Sequence, residues 1–309
     1  MVLVRKKNGK LRFCVDYRKL NNVTKKDRYP LPRIDELLES LSEASWYTTL
    51  DLASGYWQLK VREEDKAKTA FVTKHGLFEF NVMPFGLCNA PATFQRAMDN
   101  VLRKIKGKFV LVYLDDIIIF SKNYEEHLQH LQQVFDCLEE ANLKINPEKC
   151  HFCNKEIQFL GHVINEKGVK PDPAKIEKIV NMTSPRNVKQ LRTVLGLFSY
   201  YRRFVKNFSK LVAPMNELLK RDHEYEWELQ HQQIFEDIKE MMMTVPILSY
   251  PNFNKPFILS TDASTNGLGA VLSQKDEEGK VHPIWFASRT LSPAEKNYNI
   301  TEQEALAVV

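Results

Sequence analysis

The chain has 309 residues, of which 43% are hydrophobic and 11% aromatic, and 44 basic against 39 acidic residues give a formal charge of +5. This composition excludes a mainly disordered chain and allows two or three domains with real cores, while the mild positive balance is compatible with a polyanionic partner without identifying one. No apolar run approaches the ~20 residues of a membrane span, no basic-then-apolar leader opens the chain, and five scattered cysteines suit a reducing compartment better than a disulfide framework.

Residues 2–21 read as a basic hairpin, with Asn8-Gly9 at its turn and Arg5, Lys6, Lys7 and Lys10 at its tip. After the extended Tyr29-Pro30-Leu31-Pro32, the spacing of Ile34, Leu37, Leu38 and Leu41 predicts a helix, and Trp46 to Leu50 a strand that ends at Asp51. Phe78 to Met83 alternates like a strand, Pro84-Phe85-Gly86 breaks it, and Asn89-Ala90-Pro91 offers a cap and a first-turn proline. Phe94, Ala97, Met98, Val101, Leu102 and Ile105 then mark one helix face, Leu128, Leu131, Val134, Phe135 and Leu138 another, and Ile157 to Ile164 a further hairpin. The order over 46–164 approximates βαββαβ, a split-βαβ, ferredoxin-like sheet. Residues 174–243 are predicted to be mainly helical, with Leu191, Leu195, Phe198, Tyr201, Phe204 and Val205 buried. From Lys255 strands return, at 257–262, 269–273 and 283–287, and a helix starts at Thr301. Strand-like Val2-Leu3-Val4 at one end and an unfinished apolar helical pattern at the other lead us to expect a segment of a larger protein.

The run Val110 to Phe120 places Asp115 and Asp116 between two apolar β-type segments, at the turn where buried strands reverse. Paired carboxylates there repel one another, so the site makes best physical sense if divalent cations sit on their oxygens. Nucleotidyl transfer uses two ions held by carboxylates from different strands, and Asp51, ending an apolar strand before small residues, is the natural third. No His or Cys converges on that site, which points to Mg²⁺. Cys150-His151-Phe152-Cys153 lacks a fourth zinc ligand at useful spacing, and His127 and His130, three apart on a helix, are read as solvated surface.

Tyr113-Leu114-Asp115-Asp116 resembles the Tyr-X-Asp-Asp signature of reverse transcriptases. Leu50 through Gln58, Met83 through Pro91 with Phe94-Gln95, Phe159 through His162, and Leu195 through Phe204 extend the resemblance to the polymerase of gypsy-type LTR retrotransposons. It implies an α+β right-hand polymerase of fingers, ferredoxin-like palm and helical thumb, followed by a truncated α/β ribonuclease H-like domain. The implied boundaries are 1–170 for fingers and palm without their N-terminal portion, 171–250 for the thumb and connection, and 251–309 for the start of ribonuclease H. The implied activity is RNA-directed DNA polymerisation on an RNA or DNA template-primer, using deoxynucleoside triphosphates and two Mg²⁺ held by Asp51, Asp115 and Asp116.

The same resemblance makes Tyr56 a steric gate against a ribose 2′-hydroxyl, and Lys6 and Arg12 triphosphate-closing residues of the fingers. Phe85 and Gly86 fall in the loop under nucleotide and template base, where Phe85 departs from the Gln of retroviral enzymes. Lys149 falls near a lysine proposed to protonate pyrophosphate, and Phe159, Leu160, Gly161 and His162 form the primer grip. Tyr200, Tyr201, Arg202 and Arg203 combine stacking and phosphate-seeking groups, although helical geometry sends about half of them into the core. Asp262 and Glu304 fit two of the four acids that a ribonuclease H site needs, so no RNA-strand cleavage is expected of this segment alone. Thr301 and Glu304 also satisfy a capping-box pattern. A cytoplasmic protein, with no membrane partner, is expected, in virus-like particles where the parent polyprotein with its protease and integrase assembles them. The competing reading is a catalytically silent nucleic-acid-binding remnant of a transposon.

Overall fold

Ile117, Ile118 and Ile119 are all fully buried in succession, which removes both faces of their strand from water and fixes it inside a sheet. The computed structural model describes every residue except 1, 6–8, 10, 221–223 and 266, and residues 2, 4, 11 and 12 by their backbone alone. Two compact units divide the chain, Met1–Ile157 and Gln158–Val309. The expected Lys6 and the side chain of Arg12 lie outside the described residues.

The first unit begins with an antiparallel pair, β1 (Val2–Arg5) and β2 (Leu11–Cys14), then α1 (Arg18–Val23) and α2 (Ile34–Glu39). There follow β3 (Trp46–Asp51), α3 (Glu63–Lys66), β4 (Phe71–Thr73), β5 (Gly76–Phe78), α4 (Ala90–Val101), β6 (Val110–Tyr113), β7 (Asp116–Ser121), α5 (Tyr124–Glu140) and β8 (His151–Asn154). Four of these strands form one antiparallel sheet in the order β6-β7-β3-β8. This is the split-βαβ order expected from the sequence, with α4 and α5 as its two crossovers. Strand alternation puts Leu50, Val110, Val112, Ile117 and Ile119 on one face, where they share a core with Phe94, Met98 and Leu102 of the α4 region and Leu131, Val134 and Leu138 of α5.

Two expectations are corrected here. The fourth strand is β8, not the hairpin at 157–164; β8 is half exposed along its length, so apolar periodicity does not mark it. The strand expected at 78–83 is instead a short hairpin of β4 and β5 ending at Phe78. Beyond it Thr69 Oγ1 accepts the Phe80 N–H, and only Lys60 and Val82 bridge.

From Glu156 the chain runs β9 (Glu156–Phe159), β10 (His162–Asn165) and β11 (Gly168–Pro171), a three-stranded sheet. Helices α6 (Pro173–Val180), α7 (Val188–Tyr200), α8 (Phe208–Glu217) and α9 (Leu229–Met243) follow, and Leu191, Leu195, Phe198, Tyr201, Phe204 and Val205 are buried as their spacing predicts. A second antiparallel sheet of β12 (Ile258–Ser264), β13 (Gly267–Lys275) and β14 (Val281–Thr290) then precedes α10 (Ile300–Val308). The capping box of α10 is Asn299 with Glu302, two residues before the expected Thr301 and Glu304. Asn299 Oδ1 accepts the Glu302 N–H, which starts the helix at Ile300 and leaves Glu304 exposed in the second turn.

His127 and His130 also depart from expectation. His127 is fully buried, with Nε2 2.8 Å from Thr48 Oγ1 and Nδ1 2.8 Å from Ser121 Oγ. His130 stacks on Phe109 with centroids 3.7 Å apart. An imidazole satisfied at both nitrogens by hydroxyls is a packing unit between α5 and the sheet, and its polarity hides that in the sequence. Burial, helped by the neighbouring His130, pushes the His127 pKa down to about 4. The unfolded chain takes up this proton below about pH 6.5 and the folded chain only near pH 4, so the stability it contributes is full above 6.5 and lost as pH falls to about 4. In urea melts, the unfolding free energy of the parent minus that of His127→Gln is expected to drop by on the order of 3 kcal/mol across that window. A difference that stays flat with pH contradicts the buried neutral imidazole.

Candidate active site

Tyr113 and Asp116 are register partners in the β6–β7 hairpin, so the turn between them consists of Leu114 and Asp115 alone. Leu114 has φ of +54°, a left-handed conformation that costs a side-chain-bearing residue about 1 kcal/mol. The next register pair joins Asp51 of β3 to Asp116 of β7. Alternation places both carboxylates on the sheet face opposite Leu50, Ile117 and Ile119, the face that α4 and α5 leave uncovered. Two of the three expected aspartates are therefore direct cross-strand neighbours.

Lys149 supplies the counter-charge. Its Nζ donates to Asp51 Oδ2 at 2.9 Å and Oδ1 at 3.1 Å. Loss of hydration beside the sheet pushes the Asp116 carboxyl above the usual range, the charge of Asp51 adds to that, and Lys149 partly opposes it. A carboxyl raised by a like-charged neighbour is the electrostatic signature of a site short of positive charge. Asp115 turns its carboxylate another way, with Oδ1 3.2 Å from the point where a Cβ on Gly55 would stand. Among the described residues no three His, Cys, Asp or Glu side chains converge as ligands of one ion. The all-oxygen pair of Asp51 and Asp116, with Asp115 in the adjoining turn, fits a hard divalent cation better than a nitrogen- or sulfur-seeking one. Cys150 donates to Asn146 O at 3.2 Å instead of joining a zinc set.

The loop after Asp51 builds an aromatic shelf. Ser54 is left-handed (φ +55°), Gly55 is buried, and a single 3-10 turn at Gly55–Gln58 presents Tyr56. Its ring lies 5.2 Å from both Phe85 and Phe94, and Phe85 lies 5.9 Å from Trp57. Burial, then the charge of Asp115, pushes the Tyr56 phenol up to about 12, so it stays protonated at physiological pH. Gly86 has φ of +98°, which explains glycine beside Phe85.

Side-chain amides tie this shelf down, and sequence reasoning missed most of them. Asn21 donates to Gly86 O and accepts from Cys88 N. Gln58 donates to Ala53 O and Lys144 O and accepts from Lys144 N. Asn89 sits at the N-cap of α4 but spends its side chain on Asp27 N and Lys25 O. The available signal was an amide interrupting or flanking each apolar motif.

In the second unit the Phe159–His162 hairpin turns on Leu160 and Gly161, both at positive φ (+45° and +74°). Tyr200 OH donates to Leu160 O and Tyr201 OH to Gly161 O, at 2.5 and 2.9 Å, and His162 Nδ1 lies 2.9 Å from Leu160 O. Tyr201 and Arg203 are buried while Tyr200 and Arg202 are exposed, the division the helical geometry implied. Asp262 on β12 and Glu304 on α10 are both exposed.

Residues 4–164 match the model of the reverse transcriptase (RNA-dependent DNA polymerase) family, and residues 227–309 that of the RNase H-like domain found in reverse transcriptase. The chain is 48% identical over 97% of its length to the retrovirus-related Pol polyprotein from transposon 297 of Drosophila melanogaster, spanning 28% of that protein. It is 40% identical over its whole length to the transposon Tf2-3 polyprotein of Schizosaccharomyces pombe, spanning 23% of it. A solved foamy viral protease-reverse transcriptase in complex with double-stranded DNA superposes with a TM-score of 0.87 at 28% identity, covering 99% of this chain and 54% of that one. The expected α+β right-hand polymerase fold class agrees with that likeness.

A Cβ at Gly55 would stand 2.8 Å from Phe94 Cζ as well as 3.2 Å from Asp115 Oδ1. Gly55→Ala is therefore expected to lower stability by about 1–3 kcal/mol through overpacking, measured by denaturant melts. An unchanged midpoint contradicts the tight approach of loop to hairpin.

Proposed function

Because this chain belongs to the reverse transcriptase family, with an RNase H-like domain following in sequence, we propose that it is the RNA-directed DNA polymerase segment of a retrotransposon Pol polyprotein. Deoxynucleotides are added to a primer 3′-hydroxyl on an RNA or DNA template, within a cytoplasmic particle formed by the parent polyprotein. No described helix is long and apolar enough to cross a membrane. The observation that carries the reading is the Asp51–Asp116 register pair, flanked by Asp115 and countered only in part by Lys149. That charge balance suits a site built to receive cations and a polyphosphate.

Asp51, Asp115 and Asp116 would hold two Mg²⁺. When bound, these ions lower the pKa of the primer hydroxyl and neutralise the triphosphate and leaving pyrophosphate. The chain's own groups do the rest. Asp51 and Asp116 present the oxygens that would hold the ions from one sheet face, and Lys149, whose Nζ lies 2.9 Å from Asp51 Oδ2, is assigned to pass a proton to pyrophosphate. Tyr56, packed between Phe85 and Phe94, acts by bulk: a neutral, immobilised ring at the sugar leaves no room for a 2′-hydroxyl. Phe85 and Gly86 underlie nucleotide and template base, and Arg12 and Lys6 close on the triphosphate, where a guanidinium grips phosphate bidentately. The hairpin of Phe159, Leu160, Gly161 and His162 positions the primer end. Asp262 and Glu304 would supply two of the acids of a ribonuclease H site.

Primer extension on poly(rA) with oligo(dT) tests the assignment. Asp115→Asn is expected to lower kcat by at least about 10³-fold relative to the parent, since it removes charge stabilisation that acts in the transition state; equal incorporation by both removes Asp115 from catalysis. Tyr56→Ala is expected to raise the ratio of ribonucleotide to deoxynucleotide kcat/KM by about tenfold or more. Unchanged selectivity contradicts the gate.

A further inference from the structure

Gln95 is fully buried on a helix face otherwise built of Phe94 and Met98, and every polar atom of its amide is used. Oε1 accepts the Leu114 N–H at 2.7 Å. Nε2 donates to Val112 O at 3.2 Å and to Asp99 Oδ1 at 2.9 Å. The first two bonds grip the β6–β7 hairpin on either side of Tyr113, at the residue whose φ of +54° makes the turn strained. Asp99 in turn accepts from Lys106 Nζ at 2.5 Å and from Tyr29 OH at 2.7 Å. Burial works against its charge, but the hydrogen bonds from Lys106, Tyr29 and Gln95 outweigh it and hold the carboxyl below its usual range.

An ionised carboxylate only accepts, so Asp99 allows just one orientation of the Gln95 amide, with NH₂ toward Asp99 and the carbonyl oxygen toward Leu114. The Leu114 N–H and the Val112 carbonyl demand the same orientation, so removing Asp99 leaves the amide those two bonds but takes away the anchor that holds it in place. We propose that Gln95 and Asp99 are positioning residues that set the Leu114–Asp115 turn, and through it the carboxylates of Asp115 and Asp116, while touching no substrate. Tyr29 and Lys106 complete the relay by fixing Asp99. The proposal rests on the polymerase reading for its effect on rate, but the clamp itself is a matter of one amide proton.

The test compares the parent with Gln95→Leu, Asp99→Leu and Asp99→Asn, reading kcat and KM for deoxynucleotide in primer extension. The second readout is hydrogen exchange at the Leu114 amide, and thermal melts establish folding. Gln95→Leu is expected to lower kcat by about tenfold or more with KM within about twofold, because displaced reacting groups cost rate more than ground-state binding. Its Leu114 amide is expected to exchange at least about tenfold faster than in the parent. Asp99→Leu is expected to follow in the same direction by roughly threefold or more. Asp99→Asn, whose carbonyl oxygen still accepts from Gln95, is expected to stay within about twofold of the parent. A folded Gln95→Leu with parental kcat, with a loss confined to KM, or with parental Leu114 exchange overturns the proposal. Where Gln95→Leu fails to fold, Asp99→Leu decides: parental kcat and parental exchange there overturn it. A parent chain with no polymerase activity defeats the functional reading instead, and the Leu114 exchange rate alone then decides the clamp.

Discussion

Asp51 and Asp116 face each other across two adjacent strands, and that enforced closeness of like charges governs the architecture around it. Cross-strand partners are separated by about 5 Å, where two unit charges at an effective dielectric of 20 repel by roughly 3 kcal/mol. Nothing local to either aspartate would choose this arrangement. The opposite sheet face imposes it, because Leu50, Val112, Ile117 and Ile119 are buried against α4 and α5, and a slip of one residue would turn that apolar set outward. The hydrophobic core thus fixes the register, and the register fixes the carboxylates. Lys149, reaching in from the segment before β8, offsets part of the cost at Asp51 and leaves Asp116 with a raised pKa.

The loop after Asp51 answers a different constraint, which is how closely a second backbone can approach the hairpin. At Gly55 the approach is limited by Phe94 and by Asp115 Oδ1, so the chain must be bare there, and the left-handed Ser54 before it sets the direction of entry. The next residue is then Tyr56, which lands on the ring of Phe94 as well as on Phe85. The aromatic that we assign to the sugar is immobilised by the same helix that packs beneath the β6–β7 hairpin. Gly55 and Phe94 couple the two halves of the site by close packing, and the charge of Asp115 reaches Tyr56 across the same gap.

Much of this was legible before any coordinates. Apolar strands flanking Asp115-Asp116, and the helix periodicities of 94–105 and 128–138, led to the correct sheet topology because each rests on burial, which periodicity reports directly. The misreadings share one cause. Strand β8 is half exposed, the segment after Phe78 is held by a Thr69 side chain and a single bridge, and the α10 cap falls on Asn299 because its oxygen reaches the Glu302 N–H. In all three, individual hydrogen bonds decide the outcome, and no hydrophobic pattern encodes them. The Leu160–Gly161 turn lies between these cases. Gly161 advertised a turn, but its fastening by Tyr200 and Tyr201 across forty residues depends on tertiary placement that spacing does not carry.

Two buried polar groups on the helix side of the sheet make the same point more sharply. His127 and Gln95 are both fully buried and both bonded through each polar atom of their side chains, so burial and satisfaction cannot tell them apart. Their networks end in different places. The His127 bonds run to Thr48 and Ser121, side chains of the same sheet face, and on from these to the Cys153 N–H and to His130, all within β3, β7, β8 and α5. Those of Gln95 end at the Leu114 N–H, the backbone of a strained turn whose next two residues are aspartates. A polar group in a core has the fold's stability as its whole role when its hydrogen bonds begin and end among packed elements. It bears on chemistry when they terminate on backbone that carries reacting groups, and by that criterion Gln95 belongs with the site and His127 with the fold.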